Sequence, residues 1–279
     1  MPIDPDEYRK TSHETWERIA GNWDREREFI NSVTAPVNER MVERLDPKPG
    51  DTVLDLAAGT GDTGFLAAAK IGADGRLIST DFASAMVDAA RGVSARLGLG
   101  NVEHRVLDAE RMDLDDSSVD GVLCRFGYML MADPAAALGE TRRVLRDGGR
   151  LVLAVWTPPD ENQWAFVPGR VLVGRGHIPP PEPEAPGIFA MADPERISKL
   201  VTGAGFADPE IEQVEIAWPY EDADEHWAFT RKLAGPLSDA IDQLDEDERE
   251  AVRLDVGSQI ESLMAAGSIG GRVHVVTTT

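Results

Sequence analysis

The sequence predicts an α/β protein built on a doubly wound, Rossmann-like parallel sheet. Short apolar runs alternate with amphipathic segments at the spacing of βαβ units, and a glycine-rich turn joins the first run to the first following helix. Three aspartates also stand at the carboxyl ends of three successive runs, where open parallel sheets place their ligands.

Taken in order, the first fifty residues read as helical. Ser12 is expected to cap a segment containing Trp16, Ile19 and Ala20, and Val37, Met41 and Leu45 repeat at helical spacing before Pro47, Pro49 and Gly50 interrupt. DTVLDLA (51–57) is the first strand, followed by Gly59, Gly61 and a helix through Phe65 to Ile71. Strands at 75–81, 101–108, 119–126 and 149–156 follow, with helices after Asp81 and from Pro134 to Leu145. Residues 157–192 break the rhythm: they are rich in proline and glycine yet carry Trp164, Phe166 and Phe189, which suggests a lid. A helix from Pro194 to Ala204, the alternating PEIEQVEIAWPY, two acidic helical segments over about 222–266 and a last strand, GRVHVVTTT, complete the chain. One domain is expected: a helical cap (1–49), a cofactor-binding core (50–156), a lid insertion (157–192) and a C-terminal part of the sheet with an acidic helical insertion (193–279).

The chain has 279 residues, 42% hydrophobic and 28% charged, enough for a sizeable core. The segment MPIDPDEYRK has no apolar run and no later stretch is long and apolar enough to cross a bilayer, so a cytoplasmic protein without membrane insertion is expected. The single cysteine, Cys124, excludes an internal disulfide and a cysteine-rich metal site, and no metal is expected. The net charge of -22 repels phosphate backbones, which argues against a nucleic-acid partner. From Asp208 to Asp255 there are 16 acidic and 4 basic residues, read as a solvated face that keeps the protein soluble.

Gly59, Gly61 and Gly64 spell G-x-G-x-x-G, which lets a backbone approach a ligand at a helix N-terminus. A dinucleotide or a nucleoside cofactor would both use it. Asp62, inside the loop, would repel a pyrophosphate, whereas Asp55 can attract an ammonium group, so a cationic cofactor such as S-adenosylmethionine fits better. Asp81, twenty residues past Gly61, can accept both ribose hydroxyls and can also cap the helix near Ser84. Asp108 and the Ala109 amide can read an adenine edge, although Asp108 alone could equally be a solvated strand-end acid.

VLDLAAGTGDTG, the acidic STD, LDAERMDLDDSSVD and VLRDGGRLVLAVW resemble the class I S-adenosylmethionine-dependent methyltransferases, and within them the type 11 set that includes ubiquinone/menaquinone-biosynthesis and natural-product enzymes. The resemblance is specific over about 50–156. It implies a seven-stranded sheet of order 3-2-1-4-5-7-6 with the last strand antiparallel, and methyl transfer to a small-molecule acceptor, aromatic or quinone-like, mainly by proximity and orientation. Carried over by position, Asp55, Gly59, Thr60 and Gly61 would hold the methionine part, and Asp81 the ribose. Phe82 and Met86 would flank the adenine, Asp108 and Ala109 would read it, and Arg125 and Phe126 would lie near the methionyl chain. Ala57 stands where the family often has glycine, so its methyl narrows the approach slightly.

No dedicated base stands out. His177 in the lid is the first candidate, against the alternative of a surface-loop histidine; His13 and His226 could face the pocket but are expected on polar faces, and His104 and His274 in structural roles. Tyr128, Met129 and Met131 would shape the acceptor site or pack under the cap. Trp156, Trp164, Phe166 and Phe189 would form an aromatic acceptor pocket or anchor the lid. Cys124, inside an apolar strand, reads as a buried small hydrophobe. An NAD-dependent oxidoreductase shares the glycine loop and Asp81, and a non-catalytic S-adenosylmethionine-binding protein shares all the cofactor residues; these are the competing readings. A homodimer is compatible with the sequence.

Overall fold

The computed structural model describes residues 4–182, 184–267 and 269–279. Two helices open the chain, α1 (Pro5–Arg25) and α2 (Arg27–Leu45). The start of α1 is set by Asp4, whose carboxylate accepts the amides of Asp6 and Glu7 while Pro5 fills the first helical position. Ser12 therefore lies inside α1 and caps nothing: the Asp-Pro pair seven residues earlier starts the helix first.

The Rossmann-like core follows as β1 (Thr52–Asp55), α3 (Asp62–Ile71), β2 (Arg76–Asp81), α4 (Ser84–Arg96), β3 (Val102–Val106), β4 (Val119–Arg125), α5 (Pro134–Val144) and β5 (Leu145–Trp156). Then come α6 (Gln163–Gly174), α7 (Pro194–Gly203), β6 (Glu210–Ala217), α8 (Ala223–Leu233), α9 (Gly235–Asp242), α10 (Glu246–Ala265) and β7 (Gly270–Thr278). The sequence misread two of these regions. A twelve-residue helix occupies part of the expected lid, because Val167, Val171 and Leu172 bury against the α8–α10 cluster. The acidic segment forms three helices, not two, since Gly235-Pro236 restarts the chain after Leu233.

The strands form one sheet of order β3-β2-β1-β4-β5-β7-β6. β3, β2, β1, β4 and β5 pair in parallel, whereas β7 is antiparallel to both β5 and β6. β6 consequently runs with β5, and six of the seven strands end at one edge. The central strands are apolar on both faces, with Val53, Leu54, Leu77, Ile78, Val122, Leu123 and residues 151–155 buried, as helices on both sides require. α2 packs across β4, β5, β6 and β7, while α3 covers β1 and β2. Among the described residues no helix is long and apolar enough to cross a membrane.

Candidate functional site

The carboxyl edge between β1, β2 and β4 carries the glycine loop. Gly59 and Gly61 adopt left-handed backbone angles of +56° and +87°, which side chains rarely tolerate. The Gly59 amide donates to Asp81 Oδ2 (3.0 Å) and the Gly64 amide to Asp55 Oδ2 (3.0 Å), so the two strand-end acids hold the loop from both ends. Glycine is required at 64 because a Cβ there would come within 2.9 Å of the Asp55 Cβ and Cγ. Above Gly59 the reverse holds: a Cβ built there meets nothing within 4 Å. That open space, beside a carboxylate, suits a nucleoside approaching the backbone.

Ala57 also sits in the left-handed region, at +54°. Its methyl crowds Gly127, where an added Cβ would lie 2.8 Å from it. Ala57→Gly should relieve backbone strain and raise stability by up to about 1 kcal/mol, roughly 2 °C in Tm by calorimetry; a fall of the same size would show that the methyl's packing dominates.

The charge balance of the loop differs from the sequence expectation. Asp62 is buried and paired with Arg27 at 2.6 Å, and it accepts the Thr60 hydroxyl. Its charge is thus committed to a cap residue and does not serve a cationic guest. The second guanidinium, Arg125, donates to Thr34 Oγ1 (2.6 Å) and Asn38 Oδ1 (3.0 Å) on α2, and Asn38 also accepts the Thr63 hydroxyl. The site therefore carries the buried carboxylates Asp55 and Asp81, each held by backbone amides, beside a guanidinium with neutral hydrogen-bond partners. Burial pushes Asp55 up to about 7 despite the nearby Arg125 and the Gly64 amide, and pushes Asp81 up to about 6 despite three backbone amides.

α1 lies over the β2 and β3 end of this crevice. Glu17 accepts the amides of Ser84 (2.5 Å) and Ala85 (3.2 Å), capping α4 from another helix. Asp81 Oδ1 accepts the Ala83 amide at 3.0 Å, one residue ahead of α4, so the first amides of the helix are capped by Glu17 and not, as expected, by Asp81. Phe82 meets His13 edge-on at 5.5 Å and packs with Trp16, Trp23 and the buried Met86. Tyr8 donates to the Leu130 carbonyl and Arg9 pairs with Glu110, which ties α1 to the loops after β4 and β3. Asp108 is exposed and its Oδ1 accepts the Glu110 amide, while Ala109 is buried in the core.

Phe126, left-handed at +62°, stacks on Trp156 with centroids 4.3 Å apart and planes at 7°, and the Arg125 guanidinium lies 5.7 Å from its ring. From there aromatic contacts continue along the edge: Trp156 to Trp164 (5.1 Å), Trp164 to Trp218 (4.1 Å) and Trp218 to Tyr220 (5.7 Å). Phe29 and Phe229 close around Trp218 and Tyr220. Of the expected acceptor residues, Trp156 and Trp164 belong to this run. Phe166 instead sits under the Arg170 guanidinium, and Phe189 lines a groove with Pro158 and Arg196. Tyr128 is buried in the core with its hydroxyl on Thr141, and buried Met129 offers its carbonyl to the Gly187 amide; both are packing residues in this geometry. Trp218 and Tyr220 were missed, although the parallel course of β6 and the AWPY that ends it would have brought them to this edge.

The histidines also sort differently. His177 pairs with Glu248 at 2.8 Å, beside the Arg175–Glu248 and Arg175–Asp255 pairs between the end of α6 and α10. None of those partners belongs to the crevice, so the expected lid base is a peripheral residue. His177→Ala is expected to leave kcat and KM unchanged and to alter stability by less than about 1 kcal/mol; a tenfold drop in kcat would restore it as a base. His226, expected on a polar face, is fully buried and bonds the Trp164 carbonyl. His104 contacts Ser94, and His274 the Ala192 carbonyl, both structural. Cys124 is buried, and burial pushes its thiol up to about 12.

The family model described as "Methyltransferase domain" matches residues 47–162, the stretch that builds the crevice. Nocamycin O-methyltransferase of Saccharothrix syringae is 28% identical over 95% of this chain and 96% of its own length. Demethylmenaquinone methyltransferase of Clavibacter sepedonicus is 35% identical over 59% of this chain and 69% of its own length. A crystal structure of a SAM-dependent methyltransferase from Aquifex aeolicus shares the fold with a TM-score of 0.51 and 19% identity, covering 77% of this chain and 93% of that one. The chain belongs to the type 11 family of class I methyltransferases, and its cofactor is S-adenosylmethionine.

Proposed function

We propose that this methyltransferase alkylates an oxygen of a flat, aromatic or quinone-like small molecule, held over the β4–β5–β6 half of the carboxyl edge. The observation that carries the reading is the aromatic run from Phe126 to Tyr220, which starts at the strand next to the glycine loop. Cofactor and acceptor then lie on neighbouring halves of one edge and meet at Arg125 and Phe126. An oxygen acceptor is favoured because the likeness to the O-methyltransferase spans nearly the whole chain, whereas the menaquinone relative matches a shorter part.

When bound, S-adenosylmethionine supplies an electrophilic methyl group on a sulfonium leaving group. Asp55 and Arg125 present opposite charges that match the ammonium and carboxylate of its methionyl end, with the Gly59, Thr60 and Gly61 backbone beside them. Asp81 takes the ribose, Phe82 and Met86 flank the adenine, and Asp108 and Ala109 stand near its edge. The stacked rings of Phe126 and Trp156 exclude water and orient a planar acceptor, so rate enhancement comes chiefly from alignment.

The test is methyl transfer to a panel of phenols, quinols, aromatic polyketides and aliphatic amines, followed by the mass gain of one methyl group. Turnover confined to the flat oxygen compounds, with KM raised at least tenfold by Trp156→Ala, is the expected result. Turnover confined to aliphatic amines would overturn it.

A further inference from the structure

Four buried polar side-chain atoms in the aromatic run have no hydrogen-bond partner among the described residues: Trp164 Nε1, Trp218 Nε1, Tyr220 Oη and His226 Nδ1. Trp218, Tyr220 and His226 are only 4%, 6% and 0% exposed. They belong to one connected cluster, since Trp164 lies 4.1 Å from Trp218, Trp218 5.7 Å from Tyr220, and Tyr220 meets the His226 ring edge-on at 5.2 Å. Buried polar groups in native proteins are nearly always satisfied, because an unmade bond forfeits the water the group has left. Four in one cluster call for partners that the described residues do not supply.

The chemistry of that ligand follows from the atoms. His226 Nε2 lies 2.7 Å from the Trp164 carbonyl, which only accepts, so Nε2 carries the hydrogen and Nδ1 presents a lone pair. Burial lowers the ring's basicity and keeps it neutral. Trp164 and Trp218 can only donate, and the Tyr220 hydroxyl can donate. The cluster thus offers three donors and one acceptor within aromatic walls completed by the partly buried Phe29 and Phe229.

We propose that Trp164, Trp218, Tyr220 and His226 form the polar half of the acceptor subsite and select a flat molecule bearing at least two oxygens, one a hydroxyl donated to His226 Nδ1 and another accepting from the Tyr220 hydroxyl. This rests on the flat-acceptor reading above. It adds a hydrogen-bonding code to a surface that would otherwise choose by shape alone, and a site built to hydrogen-bond a hydroxyl strongly rejects the analogue lacking it.

Calorimetric titration of the protein saturated with S-adenosylhomocysteine tests it, with 6-acetyl-2-naphthol, its methyl ether and 2-ethylnaphthalene as probes. The naphthol is expected to bind at least tenfold tighter than the other two. His226→Gln should shrink the preference over the methyl ether to within about threefold, and Tyr220→Phe, which keeps the ring, should shrink the preference over 2-ethylnaphthalene at least threefold. Should the histidine variant fail to fold, the tyrosine variant decides. Equal binding of all three probes to the parent, or an undiminished preference over 2-ethylnaphthalene in Tyr220→Phe, overturns the polar subsite and leaves the flat-acceptor reading standing. If no probe binds, the flat-acceptor reading itself falls, and this inference with it.

Discussion

Asp81→Asn is expected to weaken S-adenosylhomocysteine binding by about 100-fold without unfolding the protein. Asp81 ends β2 with one oxygen on the Gly59 amide and the other on the Ala83 amide, so it fixes the glycine loop against the start of α4. A ribose placed there shares the carboxylate with those amides. An asparagine keeps one acceptor oxygen and turns an NH2 towards the second donor, which costs a loop bond and the charged bonds to the sugar. Bonds to charged groups are worth about 1.5–3 kcal/mol each, and losing the equivalent of one to two gives the stated factor. Folding should tolerate the change, because removing a buried charge offsets the lost bond. Burial has already pushed Asp81 up to about 6, so holding its charge costs the free protein stability. Calorimetric titration alongside thermal melts reads both quantities; an affinity within threefold of the parent would remove Asp81 from the site.

What the sequence could and could not show follows the range of the interactions. β1, β2, β4 and β5 were legible because strands buried on both faces must be apolar throughout, and short apolar runs between helices have few other readings. The loop glycines and the two strand-end acids were legible because a turn from strand to helix is local. The Arg27–Asp62 pair was not: nothing near Asp62 in the chain announces a guanidinium 35 residues earlier, so the loop read as more negative than it is. Glu17 capping α4 and Phe29 meeting Trp218 and Tyr220 are hidden for the same reason, since they depend on where α1 and α2 dock. His226 misled because the acidic residues around it suggest solvent. Its own helical face packs inward, as the buried Ala223 and Thr230 on the same face attest. The aromatic acceptor wall was half visible. Trp156 and Trp164 were among the expected residues, but Trp218 and Tyr220 come to this edge only because β6, paired through β7, runs with β5.

The second large effect is on pH. Asp55 is buried at the end of β1, and desolvation outweighs the opposing influence of Arg125 and the Gly64 amide, lifting it to about 7 in the free protein. An ammonium arriving beside it favours the carboxylate, so its value falls in the complex and a proton must leave on binding wherever Asp55 is still protonated. Affinity for S-adenosylhomocysteine should therefore be flat near pH 8 and drop by about tenfold per unit below pH 7. Titrations in two buffers of different ionisation enthalpy should show release approaching one proton at pH 6 and close to none at pH 8. In Asp55→Asn the release at pH 6 falls to at most the roughly half proton that Asp81, at about 6, can supply, and the loss of affinity is larger at pH 8 than at pH 6. The folding stability has the opposite sign. With a folded value above the unfolded one, the neutral carboxyl's contribution is fully present below about pH 4 and is lost as pH rises through 7. Without ligand, Asp55→Asn should consequently melt above the parent at pH 8, with the gap closing towards pH 5. Proton release in the variant equal to that of the parent would assign the titration to another group and take the ammonium contact from Asp55.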